Sequence, residues 1–324
     1  MGGVIGGRLL QAGHDVTLVA RGEHAATIRR AGLRLDSPDG VDVLRAPVVD
    51  TADLADFAGT ATVLLSVKSQ DTAAAVRDLS RAGVAEAVVC VQNGVVNEPM
   101  ALRCFDSVYG ICVMLPAEHL EPGVVAVHSS PIGGILDIGR YPAGSDDRAA
   151  EIAEALAGAT FLSEPRADIM RWKYRKLIMN LGNAVQALCG RLEAGDPVLG
   201  LVREEAERCF AAAGVDSVTA EEDRVRRADH ITLLPVPGHQ RSGGSSYQSL
   251  LRAQGSIETD YLNGEICLLG RLHGVATPAN AVVQRLANRA AANGSAPGVM
   301  TAAELFETVT QAIDGKPDSR WPIG

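Results

Sequence analysis

Lys176, Asn180 and Asn183 fall at positions i, i+4 and i+7 of an otherwise apolar stretch, KLIMNLGN. On one continuous helix that spacing puts all three on one face. One amine and two carboxamides make an odd core stripe but a sensible wall for an oxygen-rich substrate. A solvated face is the other reading, because Arg171, Lys173 and Arg175 are close by. Lys173 and Arg175 point elsewhere on the helical wheel, so Lys176 is not simply one of that basic run. Further on, IETDYLNGE (257–265) offers Glu258 at a helix start, where a carboxylate also favours the dipole. Ser245 and Ser246 open the preceding helix as a carboxylate grip. Simple capping is the alternative for Glu258 and for both serines.

A second group sits in the first half. Lys68 ends the strand ATVLLSVK (61–68), and Asn93-Gly94 follows the strand at 86–91. Open α/β sheets bind ligands at the carboxyl ends of their strands. There Lys68 would meet a cofactor phosphate or ribose, and Asn93 a nicotinamide, ribose or substrate. The alternatives are a solvated lysine and a plain Asn-Gly turn. The opening MGGVIGGRLLQAGHDVTLVAR adds Gly2, Gly3, Gly6 and Gly7 on a helix that must touch the sheet, with Gly13 as its stop. Arg21 ends the next strand, where dinucleotide folds that bind NAD place an acid for the ribose diol. A guanidinium there offers a fork to a 2′-phosphate and favours NADP(H). A glycine-rich helix with a surface arginine is the plainer reading.

The elements that must carry these residues follow from periodicity. Strands are expected at 15–21, 61–68 and 86–91, the second buried on both faces, with three more up to about 139. Helices are expected at 71–79, with Asp71 as N-cap, and at 145–158, followed by a short strand. This alternation implies a parallel α/β sheet. After Pro165 strand signals are scarce. Residues 166–193 read as one long helix, and more helices follow near 197–213, 219–230, 245–255, 258–273, 279–293 and 301–313. Residues 233–246, dense in Pro, Gly and Ser, read as a loop. The expected organisation is an α/β domain over 1–165 and an all-helical domain over 166–324. His128 lies in a strand with no identifiable partner and reads as structural.

Composition bounds the function. The 324 residues are enough for two cored domains, with 47% apolar and 21% charged residues. A net charge of −9 gives no electrostatic case for nucleic acid. No apolar run is long enough to span a membrane. The six cysteines are scattered without a CxxC pair, which argues against a disulfide framework or zinc site and fits a reducing, cytoplasmic setting.

Taken together, the glycine-rich start, Arg21 after VTLVA, Lys68 in LLSVKSQ, Asn93 in VQNG, Lys176 and Asn180 in YRKLIMN, the serines at 245–246 and IETDYLNG resemble the ketopantoate reductase (2-dehydropantoate 2-reductase) family over nearly the whole chain. The resemblance implies an N-terminal Rossmann-type dinucleotide-binding domain followed by an all-helical C-terminal domain. It implies Lys176 as proton donor and alkoxide stabiliser, with Glu258 holding the substrate hydroxyl and helping to position Lys176. Asn93, Asn180, Asn183 and Ser246 would grip the substrate. Gly2, Arg21, Lys68 and Asn93 would bind NADP(H). The activity implied is reduction of a small-molecule 2-keto acid, foremost ketopantoate to pantoate for coenzyme A synthesis. Apart from the resemblance, the helical domain offers a candidate surface for a homodimer.

The chain departs from the family pattern in places. Asn183 comes three residues after Asn180 rather than four, no Asn-Pro follows, and the small residues before Glu258 are offset by one. These positions shape the substrate pocket, which keeps open a related 2-keto acid or β-hydroxyacid dehydrogenase. Of the GxGxxG fingerprint only the last glycine, Gly2, is present, so the pattern implies a chain that starts about ten residues upstream, with the first strand and two glycines in that stretch and Met1 internal. A central strand buries side chains worth about 1.5–3 kcal/mol each. Its loss would weaken cofactor binding, lower solubility or shift a neighbouring strand into the gap, and the truncated fingerprint keeps open a non-catalytic NADP(H)-binding sensor.

Overall fold

The structure is a computed structural model that describes residues 1–50, 54, 56–57, 59, 61–83, 85–192, 195–239, 243–253 and 255–315. Glu193 of the expected long helix, residues 240–242 of the expected loop and Gln254 lie outside them. In chain order the first elements are α1 (Gly2–Gln11), β1 (Leu18–Val19), α2 (Gly22–Ala31), β2 (Leu33–Ser37), β3 (Gly40–Leu44), β4 (Val48–Val49) and β5 (Ala61–Leu65). Then come α3 (Thr72–Ala82), β6 (Ala85–Cys90), α4 (Asn97–Leu102), β7 (Val108–Met114), β8 (Ala117–Glu121), β9 (Val124–Val127), β10 (Gly134–Arg140), α5 (Asp147–Gly158) and β11 (Phe161–Leu162). The rest is helical: α6 (Ile169–Asn180), α7 (Gly182–Cys189), α8 (Pro197–Ala213), α9 (Ala220–Arg227), α10 (Ser245–Leu251), α11 (Asn263–His273), α12 (Pro278–Ala292) and α13 (Ala302–Ile313). Short 3-10 turns cover Ser69–Asp71 and Glu258–Tyr261.

The chain divides into two compact units, Met1–Lys173 with Val218–Arg241, and Tyr174–Ser217 with Ser242–Gly324. The first unit therefore includes α9 and the segment after it, which the helical pattern along the sequence groups with the second domain. Arg226 joins that segment to the sheet: its Nε and Nη2 donate to the buried Asp137 carboxylate of β10 at 2.8 and 2.7 Å.

In the first unit a five-stranded sheet has the order β11-β10-β7-β6-β5. Strands β5, β6 and β7 are parallel and β10 is antiparallel to β7. Val88, Val89, Cys90 and Val91 are fully buried, as a strand covered on both faces requires. The expectation for 61–68 is corrected. β5 ends at Leu65 and is an edge strand, so only Leu65 is buried. A four-stranded sheet, β3-β2-β9-β8, was not expected. Its first hairpin turns at Ser37-Pro38-Asp39-Gly40, a turn signal legible in the sequence. β1 pairs with β4 rather than β5, and the expected strand at 15–21 shrinks to two residues.

The glycines of α1 do what their size suggests. A Cβ on Gly2 would collide with Ser66 Oγ, and one on Gly6 would come within 2.9 Å of Leu18 Cδ2. Larger residues would push the helix off the strands. His128 does have a partner: its Nε2 lies 2.9 Å from Glu118 Oε2, both buried. Asp71 occupies the N-cap position of α3, but its side chain makes no capping bond.

The second unit packs helices around Leu177, Leu181, Val185, Leu188, Val202 and Ile266, all buried. The single helix expected over 166–193 is corrected. It tightens at Leu181, whose N–H is shared between Leu177 and Ile178 carbonyls at 3.2 and 3.4 Å, and α7 starts afresh at Gly182. Tertiary contacts meet at this break: Asn263 Nδ2 donates to the Leu181 carbonyl at 3.3 Å, and a Cβ on Gly182 would come within 3.0 Å of Leu199. Asp196 caps α8, and Thr301 with Glu304 forms a capping box on α13. Among the described residues no helix is long and apolar enough to cross a membrane, and no His/Cys/Asp/Glu cluster could hold a metal.

Candidate active site

Lys68 and Asn93 each lie three residues beyond the carboxyl end of a parallel strand, β5 and β6. Both are half-buried. Gly94 has φ +79°, so the chain turns sharply after Asn93 through a conformation that suits glycine. A buried polar network crosslinks the two strand ends. Gln92 Nε2 donates to the Val67 carbonyl and to Thr72 Oγ1, both at 2.8 Å. Thr72 Oγ1 donates to Asn97 Oδ1 at 2.8 Å, and Asn97 Nδ2 donates to the Asn93 carbonyl at 2.9 Å. The residues flanking Lys68 and Asn93 are thus held in fixed register. Gln92, Thr72 and Asn97 are not among the candidates legible in the sequence, because nothing in their spacing sets them apart from ordinary loop and helix polars.

Gly2 opens α1 against Ser66, close behind β5. Arg21 follows β1 and stands at the N-cap of α2 in an extended backbone conformation. Its side chain is exposed and makes no hydrogen bond or ion pair among the described residues. A guanidinium so presented fits a phosphate ligand, with both faces of its fork available.

The other candidates lie in the second unit. Lys176 is half-buried on α6 and Asn180, the last residue of that helix, is 5% exposed. Because the helix breaks at Leu181, Asn183 belongs to α7, and the continuous-helix argument for one shared face does not extend to it. The structure brings Asn183 to the serines instead: its Nδ2 lies 3.5 Å from Ser245 Oγ. Gln186 Oε1 accepts the Gly244 N–H at 2.9 Å, and a Cβ on Gly244 would come within 3.0 Å of Asn183 Oδ1. Glycine at 244 is what lets this loop close on α7.

Gly244 also holds the N-cap position of α10, so neither serine is a cap. The Ser246 hydroxyl is buried and has no hydrogen-bond partner among the described residues. Glu258 is not the cap of its turn either, since Ile257 holds that position. The turn is anchored one residue on: Thr259 Oγ1 donates to Asn263 Oδ1 at 3.2 Å. Asn263 Nδ2 reaches the Leu181 carbonyl and Asn280 Oδ1, the latter at 3.0 Å. Asn280 is in turn gripped by the buried carboxylate of Glu205, whose oxygens also take the Ala279 and Asn280 N–H groups at 2.8 and 2.9 Å. One buried chain of amides and a carboxylate therefore ties the residue after Asn180 to the residue after Glu258.

The basic run at 171–175 is corrected at one position. Lys173 is 3% exposed, and its Nζ lies 2.7 Å from the fully buried Glu98 carboxylate. Asp260 is exposed and accepts from Gln284 and Asn288 at 2.7 and 2.6 Å. In the first turn of α11, burial pushes the Glu265 carboxyl above its ordinary range.

Comparisons with known proteins identify the family. The model described as "Ketopantoate reductase PanE/ApbA" matches residues 1–143, and that for its C-terminal part matches residues 168–291. The chain belongs to the ketopantoate reductase family. A 2-dehydropantoate 2-reductase of Halobacterium salinarum is 30% identical over 89% of this chain and 94% of its own length. Among solved structures, a PanE/ApbA family ketopantoate reductase from Ralstonia eutropha JMP134 aligns with a TM-score of 0.74 at 29% identity, covering 90% of this chain and 95% of that one. A D-mandelate dehydrogenase solved with NADH and anilino(oxo)acetate has the same fold, with TM-score 0.74 at 20% identity over 90% of this chain and 95% of that one. Members of the ketopantoate reductase family pair a Rossmann-like sheet domain with a helical domain, the two classes of element seen here.

Proposed function

We propose that this protein reduces a 2-keto acid, foremost 2-dehydropantoate to pantoate, with NADPH. The observation that carries the reading is the match of both parts of the chain to the ketopantoate reductase family, and each unit holds its own set of candidate residues. Lys68, Asn93 and Arg21 stand at strand ends in the first unit. Lys176, Asn180, Ser246 and Glu258 stand in the second, with a buried hydroxyl at Ser246 that has no partner among the described residues. Relatives across 86–89% of the chain carry the name 2-dehydropantoate 2-reductase.

Arg21 would hold the 2′-phosphate of the cofactor, with Gly2, Lys68 and Asn93 along the rest of it. The bound nicotinamide supplies the hydride. Lys176 holds a proton on Nζ for the substrate oxygen that gains charge as the keto carbon is reduced, and its cation stabilises that charge beforehand. Glu258 accepts a hydrogen bond from the substrate hydroxyl and orients Lys176. Asn180 and Asn183 offer carboxamides and Ser246 a hydroxyl to the remaining oxygens.

The test is NADPH oxidation with 2-dehydropantoate, alongside NADH and a panel of other 2-keto acids. Turnover is expected, with NADPH preferred. Lys176→Ala should lower kcat by about 10²–10⁴-fold while NADPH still binds. Faster turnover of a different 2-keto acid would move the substrate to that acid. An inert wild type that still binds NADPH would point to a sensor.

A further inference from the structure

We propose that Lys173 and Glu98 are positioning residues, a buried ion pair that fixes the turn carrying Asn93. The role given to that turn rests on the cofactor-binding reading above. Lys173 Nζ donates to the Gln92 carbonyl at 2.8 Å and to the Ile111 carbonyl at 3.2 Å. Its third contact is Glu98 Oε1 at 2.7 Å. The ammonium thus grips the residue directly before Asn93 and the middle of the neighbouring strand β7.

The pair is a poor device for stability alone. Neither Glu98 oxygen has a partner of hydrogen-bond geometry among the described residues, although both are buried. The contact with Lys173 is therefore electrostatic. Two charges withdrawn from water with so few hydrogen bonds are no better for stability than well-packed apolar side chains of similar volume. What apolar side chains cannot supply is direction: a donor aimed at the Gln92 carbonyl.

The surroundings are built to admit the pair. A Cβ on Gly110 of β7 would come within 3.1 Å of Glu98 Oε1 and 3.2 Å of Lys173 Cδ. The nearby Cys90 thiol is pushed well above its ordinary value by burial and then by the Glu98 charge, with Lys173 opposing. Glu98 lies on α4 directly after Asn97, whose amide holds the Asn93 carbonyl. The turn from Gln92 to Glu98 is therefore gripped at both ends, by Lys173 at its start and by Asn97 and Glu98 at its close.

The experiment compares wild type with the double variant Lys173→Met, Glu98→Leu, and with Glu98→Gln, which keeps shape and loses charge. Three quantities are read: melting temperature, NADPH affinity, and amide hydrogen exchange over residues 91–98, with α13 as an internal control. The expected result is a double variant that melts within about 2–4 °C of wild type but exchanges about tenfold faster over 91–98. NADPH affinity should fall by about tenfold or more and kcat/KM by up to about a hundredfold. A double variant with wild-type exchange and NADPH affinity overturns the proposal. If it fails to fold, Glu98→Gln carries the same exchange and affinity measurements, with the same expected and overturning results. If wild type turns over no 2-keto acid yet the exchange over 91–98 responds as expected, the reductase reading fails and the positioning role stands.

Discussion

Ser246 shows how one side chain separates stability from binding. Its hydroxyl is buried and unpaired among the described residues, a condition that costs a folded protein about 1–3 kcal/mol. Ser246→Ala removes the cost and keeps the volume nearly unchanged. The variant should be more stable than wild type by about 1 kcal/mol in urea unfolding, while its KM for the keto acid rises. A lower midpoint with unchanged KM would mean the hydroxyl serves the fold rather than a ligand. Ser246 was legible in the sequence as a residue of interest, but a string gives no burial, and capping was an equal reading. Only the position of Gly244 at the N-cap removed that alternative. Lys173 is the converse case: flanked by arginines two positions away on either side, it reads as surface charge, and its 3% exposure belongs to contacts far along the chain.

At the scale of elements, β2 carries a charge cluster that governs how the segment after α9 is held. Asp36 is fully buried and accepts two hydrogen bonds from Arg34, at 2.8 and 2.9 Å, and a further contact from His239. Burial alone would raise the Asp36 carboxyl. The hydrogen bonds and charges of Arg34 and His239 outweigh burial and hold it below its ordinary 3.8. A carboxyl depressed in the folded state contributes stability that is complete above its unfolded value and fades as pH falls through the folded one. Asp36→Asn should therefore be less stable than wild type by about 2–3 kcal/mol at pH 7, and the gap should narrow steadily below about pH 4. Urea unfolding at pH 7, 5, 4 and 3 measures it, and a gap independent of pH would contradict the assignment. Elements with strong periodicity, such as α1, α5, α8 and α13, were legible from the sequence. The β2–β3 hairpin was missed despite its Pro-Asp-Gly turn. The break at Leu181 had only Gly182 as a local signal, and the residues that pack on it, Asn263 and Leu199, lie outside the stretch.

At the scale of the whole molecule, thiol reactivity reports the packing of both units at once. Cys104 is exposed, whereas Cys90, Cys112, Cys209 and Cys267 are buried. Cys189 is partly accessible, but burial, followed by the charges of Asp196 and Glu304, pushes its thiol up to about 12. Alkylation needs the thiolate. At pH 8 the native protein should take up one equivalent of iodoacetamide rapidly, at Cys104, and the remaining five only on unfolding. Peptide mass mapping over time tests this, and rapid modification of Cys189 would contradict its environment. The cysteine pattern was readable as free thiols from spacing alone, yet their ranking by reactivity needed the folded burial of each.

The sequence by itself determined the class of molecule: an α/β half with glycine-packed α1, a helical half, and residue types suited to a nicotinamide cofactor and an oxygen-rich substrate. These follow from periodicity, charge and local motifs, which are properties of neighbours along the chain. Only the tertiary structure decided that residues 218–241 return to the first unit, that Asn183 faces Ser245, and that Lys173 is buried on Glu98. It also decided that the Gln92–Thr72–Asn97 and Glu205–Asn280–Asn263 networks exist. The contacts in these groups join residues 17 or more positions apart in the sequence. A buried polar group is satisfied by whatever donor or acceptor the packing brings within 3 Å or so, and that partner leaves no periodic signal in the chain.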